Sequence, residues 1–115
     1  VSSNKMGGVA CSDSASVSIS HCTVSQNESE AILVQNGASC DMRSSVVSES
    51  KGTSVVAKVE STLTAIGNTV ELGAAGGVLF SQKSDGTLRD NEIKGNAGPG
   101  VYPEEMPSWT FCNII

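Results

Sequence analysis

His21, Asp41 and Ser44 are the residue types of a hydrolytic triad. A serine hydroxyl attacks, an imidazole takes its proton, and a carboxylate orients the imidazole. His21 is the single histidine of the chain, and nothing in the spacing singles the three residues out. A second group gathers Asp85, Arg89, Asp90 and Glu92 within one short stretch. Hydrolysis of a glycosidic bond needs two carboxylates flanking it. Elimination from an acidic sugar needs Ca²⁺ on Asp or Glu oxygens and a basic residue to remove a proton. These four residues fall on alternating faces, so an ordinary solvated surface accounts for them. No phosphate-cradling glycine loop occurs, because the glycines recur with a longer period that explains them. No catalytic residue, metal ligand or cofactor is therefore expected.

The elements that must position these side chains are set by a repeat of 23 residues. Five periods span the 115-residue chain without a gap until about Val101. Val1, Val24, Val47, Val70 and Ile93 share one offset; Val9, Ile32, Val55, Val78 and Val101 share another. A fixed period in the twenties marks a solenoid. Each period holds three short candidate strands. The first is Val9-Ala10-Cys11 and its equivalents, the second Val17-Ser18-Ile19, and the third is centred on Cys22-Thr23-Val24. The second alternates apolar, polar, apolar, the period of a half-buried strand. Three strands per turn in phase give three parallel sheets, so the expected fold is all-β, a parallel β-helix of about five rungs over residues 1–115. A helical solenoid fails because Val, Ser, Thr and Gly are poor helix formers and no 3.6-residue stripe persists.

Small and β-branched residues suit such a stack, and the chain has only four aromatic residues. Asn68 and Asn91, with Ser45 and Cys22 at the same offset, form an expected inward polar ladder. Asn27, Ser50, Gly73 and Asn96 mark a bend that needs left-handed backbone. Pro103 and Pro107 interrupt the last rung, where Trp109 and Phe111 take the offsets of Val17 and Ile19. Residues 102–115 therefore read as an atypical rung or a cap. Val1 already sits at the offset of Val24, so further rungs or a cap are expected upstream.

Cys11 and Cys40 fall in inward apolar slots, and none of the four cysteines has metal-binding spacing. They read as small hydrophobes in a reducing compartment, cytoplasmic or nuclear. A disulfide between Cys22 and Cys40, or from one of them to chain outside this sequence, is the alternative, and goes with a secreted protein. The formal charge of −5 argues against nucleic acid and anionic membrane as partners. No run of about 18 apolar residues suggests a membrane-spanning helix.

One column asks for a functional reading. All three residues of the first strand are apolar, and the middle one should face out. Ala10, Leu33, Val56, Leu79 and Tyr102 would then stack into an exposed apolar band about 19 Å long. Contiguous bands of this kind mark a partner surface, or a face covered by the rest of the same polypeptide.

The pattern Ser84, Leu88, Asn91, Ile93, Asn96, Gly100, Val101 resembles the parallel β-helix repeat of the pectin-lyase-like superfamily. In style it is most similar to the CASH-type β-helices of F-box and Shc-SH2-binding proteins. The resemblance implies a right-handed helix and a recognition arm that holds a partner protein. No catalytic motif of the superfamily's enzymes carries over. Secreted carbohydrate binding or cleavage, and an adhesin passenger role, remain the alternatives, since one fold serves many functions.

Overall fold

The computed structural model describes residues 1–81, 83–103 and 110–111, with side chains through Val101. The chain winds as repeated turns of three strands. The first turn holds β1 (Val9–Cys11), β2 (Ser16–Ser20) and β3 (Thr23–Ser25). The second holds β4 (Ile32–Val34), β5 (Ser39–Arg43) and β6 (Val46–Ser48). The third holds β7 (Val55–Ala57), β8 (Thr62–Ile66) and β9 (Thr69–Glu71). The fourth holds β10 (Val78–Phe80), β11 (Asp85–Arg89) and β12 (Glu92–Lys94); β13 (Val101–Pro103) and β14 (Thr110–Phe111) follow.

These strands form three parallel sheets. The first runs β1-β4-β7-β10-β13, the second β2-β5-β8-β11-β14, the third β3-β6-β9-β12. Every register step is 23 residues: Val9 lies against Ile32, Val55 against Val78, and Leu88 against Phe111. The fold expected from the repeat is therefore the fold observed. The second strand extends one residue beyond each end of the expected triplet, and the third begins one residue later than expected.

The core lies inside the coil. Val24, Val47, Val70 and Ile93 form one buried column, and Met42, Ala65 and Leu88 another. Column members are not interchangeable in size. Phe80 is fully buried, and a Cβ on Gly86 would lie 2.1 Å from its ring. One rung earlier, Ala57 and Leu63 occupy the same two slots, both fully buried. The large and small residues have exchanged places between the sheets, which keeps the core volume filled.

Buried polar side chains are tied by ladders along the axis. Asn68 Oδ1 accepts from the Ser45 N–H at 3.0 Å, and Ser45 Oγ from the Cys22 N–H at 3.1 Å. Ser61 and Ser84 hydroxyls donate to the carbonyls of Val34 and Ala57, at 3.1 and 2.9 Å. The expected Asn ladder is thus present, with one correction. Cys22 occupies its outermost slot and is exposed, with Sγ against the Ser20 carbonyl at 3.2 Å.

The bends also depart from expectation. Positive φ does not fall on Asn27, Ser50, Gly73 and Asn96. It falls one residue earlier, on Gln26, Glu49, Leu72 and Gly95. The following slot is where the side chain turns inward: the Asn4 and Gly73 N–H groups donate to the Oδ1 atoms of Asn27 and Asn96. A second left-handed column holds His21, Ser44, Gly67 and Asp90.

Candidate partner-binding face

The first sheet brings the expected column together. Ala10 pairs with Leu33, Leu33 with Val56, Val56 with Leu79, and Leu79 with Tyr102. Its members differ in exposure. Ala10 is exposed, Leu33 and Leu79 are half-buried, and Val56 is only 5% exposed. Val56 therefore does not add open surface, which corrects the expectation of an evenly exposed band. It is buried yet stands outside the continuous core cluster. Its larger register partners Leu33 and Leu79 flank it at the rung spacing, and a branched side chain between two leucines is readily shielded. The side chain of Tyr102 lies outside the described residues.

Beside this column runs the bend that leads into the first sheet. Its residues leave room because they are small. A Cβ on Gly77 would lie 2.6 Å from the Gly100 carbonyl oxygen and 2.8 Å from Ile93 Cγ2, so nothing larger fits there. Two clefts open between bend and column. One, of about 540 Å³, is lined by residues including Lys5, Met6, Ala10, Glu30 and Leu33. The other, of about 210 Å³, is lined by Thr53, Gly76, Leu79 and Pro99. The two leucines of the column are thus each the wall of a cleft.

Glu30 is the acid of the larger cleft. The Ser29 hydroxyl donates to its carboxylate and holds its pKa below the usual value, aided by its own backbone N–H and by Lys58, with burial opposing. Glu30 and the bend glycines were not among the expected site residues. The signal that marks them is their shared offset, since Gly7, Glu30, Thr53, Gly76 and Pro99 are 23 apart.

The residues with catalytic chemistry are placed differently. Asp41 Oδ1 accepts from Arg43 Nε at 2.8 Å, so its carboxylate is already engaged. His21 and Ser44 share a bend column, both with left-handed backbone. Glu92 pairs with Lys94 on the third sheet, while Asp85 and Arg89 stand on the second. Among the described residues no cluster of three or more His, Cys, Asp and Glu is set to hold a metal ion.

Cys11 and Cys40 are buried free thiols, as their inward offsets require. Burial pushes the Cys40 thiol up to about 12, with smaller contributions from Cys11 and Asp41. Cys22 is free and exposed, which corrects its reading as a buried hydrophobe. Cys112 and Trp109 lie outside the described residues.

Residues 7–113 match the family described as right handed beta helix region. The chain belongs to the right-handed beta helix family. That membership fixes the hand of the coil, which strand periodicity alone leaves open. Neither a curated protein nor a solved structure matches this beta helix.

Proposed function

We propose that this beta helix is a non-catalytic protein-binding module, and that its first-sheet face docks another protein. The observation that supports this reading most is the outer column itself. Leu33 and Leu79 stand outside the core, half-buried, each beside a cleft. A partner side chain entering either cleft would bury apolar surface at about 25 cal/mol per Å². The CASH-type resemblance points the same way, toward an arm that holds a partner within a cytoplasmic or nuclear assembly.

The test is site-specific photo-crosslinking in cells. A benzophenone side chain at position 79 should yield a discrete protein adduct. The same group at Thr64, on the second sheet, should not. Leu33→Lys should abolish the adduct while leaving the circular dichroism spectrum unchanged. Equal adducts at both positions, or an adduct indifferent to Leu33→Lys, would refute the assignment of this face.

A further inference from the structure

We propose that Cys11 and Cys40 are a redox-active pair, packed as thiols in reducing surroundings and closing to a disulfide in oxidising ones, which staples β1 of the first rung to β5 of the second. Both are free, buried and part of the continuous core. The Cys11 thiol donates to the Ser39 carbonyl oxygen at 3.9 Å. That oxygen belongs to the peptide group joining Ser39 to Cys40, so the Cys11 sulfur rests against the Cys40 backbone.

The winding of the coil explains why the contact is diagonal. Cys11, Val34, Ala57 and Phe80 share one inward offset, and Val17, Cys40, Leu63 and Gly86 another. The two columns meet across the bend between the first and second sheets, as the Phe80 ring and Gly86 do within one rung. Between rungs, the start of a second strand lies against the first strand of the rung before. The Ser61 hydroxyl, just ahead of β8, donates to the Val34 carbonyl 27 residues earlier, and that of Ser84, just ahead of β11, to Ala57. Cys11 meets Ser39 over 28 residues in the same sense. The equivalent diagonals further along, Val34 with Leu63 and Ala57 with Gly86, hold no sulfur.

Electrostatics agrees with this placement. Burial is the main cause that pushes the Cys40 thiol up to about 12, Cys11 is the next and Asp41 the last. Coupling between ionisable groups falls off with distance, so it too sets the two sulfurs side by side. Cys22 differs, being exposed with Sγ turned to the Ser20 carbonyl at 3.2 Å. Cys40 is therefore brought to Cys11, not to Cys22.

Closure is thiol–disulfide exchange with a small-molecule disulfide such as oxidised glutathione. One cysteine thiolate attacks it, forming a mixed disulfide and releasing one glutathione thiolate. The second cysteine, deprotonated, attacks the protein sulfur of that mixed disulfide and releases the other. Two protein thiols become one S–S bond, two electrons pass to glutathione, and the two protons end on its thiols. Exchange needs a thiolate, and the buried Cys40 holds its proton. The bridge therefore closes while the chain folds or opens, not in the resting core.

The test folds the 115-residue chain in buffers of graded reduced-to-oxidised glutathione ratio. Remaining thiols are alkylated under denaturing conditions, and the chain is cleaved at Asp and Glu. Cleavage at Asp13, Glu28, Glu30, Asp41 and Glu105 leaves the four cysteines on separate fragments. Mass spectrometry should find the Cys11 fragment joined to the Cys40 fragment, with Cys22 alkylated. Another partner for Cys40, or four alkylated cysteines at every ratio, would overturn the proposal. The oxidised chain should melt about 10 °C above the reduced one, because the bridge closes the loop from Cys11 to Cys40. Cys40→Val, which copies Val17, and Cys11→Val, which copies Val34, should each abolish that difference. A difference that survives in both would contradict the pairing. The fragment mapping needs no substitution, so it decides even where a variant misfolds.

Discussion

Asn91 Oδ1 accepts two hydrogen bonds from Asn68, one from its backbone N–H at 2.9 Å and one from its side-chain amide at 3.1 Å. The Asn68 side chain also reaches the Met42 carbonyl at 2.8 Å and accepts from Ser45 N–H at 3.0 Å. One side chain thus ties three successive rungs. Asn68→Ala leaves the Ser45 N–H unsatisfied in the interior and removes the side-chain donor from Asn91 Oδ1 and the Met42 carbonyl. A buried group without its partner costs about 1–3 kcal/mol. The substitution should therefore lower unfolding stability by about 3 kcal/mol in urea titration. A loss below about 1 kcal/mol would show that the ladder does not hold the rungs together.

The exchange of sizes between Phe80 and Gly86 calls for a double-mutant cycle. Phe80→Ala alone should cost about 3–5 kcal/mol through the cavity it leaves. Gly86→Leu alone should cost more than about 2 kcal/mol, because its Cβ has no room beside the Phe80 ring. Combined, they recreate the Ala57 and Leu63 arrangement of the preceding rung. The double variant should be more stable than either single one, as contacting residues are strongly non-additive.

Val59 has φ 55°, a left-handed conformation that branched side chains strongly disfavour. The residues at its offset, Asp13 and Asn36, adopt the same conformation with types that tolerate it. Val59→Asn should raise stability by about 1 kcal/mol, measured as an upward shift of the thermal midpoint. The reverse change, Asn36→Val, should lower it by a similar amount.

Cys40 has its thiol pushed up to about 12, from an ordinary 9.0, chiefly by burial. The folded state therefore resists ionisation that the unfolded state permits. Stability linked to this group is complete below pH 9.0 and is lost as pH rises towards about 12. Cys40→Val, which copies Val17 at the same offset, should flatten alkaline unfolding over that window. A thiol reagent at neutral pH should label Cys22 quickly. Cys11 and Cys40 should react only as fast as the protein opens.

Much of this architecture is legible in the spacing of valines, since Val9, Ile32, Val55 and Val78 stack as their offsets require. The left-handed bends were not placed correctly from residue type, for a physical reason. Gln26, Glu49 and Leu72 are poor left-handed formers, and the Asn residues that favour such backbone serve instead as ladder side chains next door. An offset does not give exposure either. Cys22 shares the inward offset of Ser45 and Asn68 yet is exposed, with its Sγ against the Ser20 carbonyl. Val56 shows the converse, an outward offset shielded by the two leucines beside it.

The docking face can be tested most directly by methyl NMR on the chain with Leu and Val labelled, titrated with the protein captured at position 79. The account predicts shifts in the methyl groups of Leu33, Val56 and Leu79. Val46, exposed on the third sheet, should stay unmoved. Shifts at Val46 with Leu33 and Leu79 unchanged would contradict the assignment and place the partner on another face of the helix.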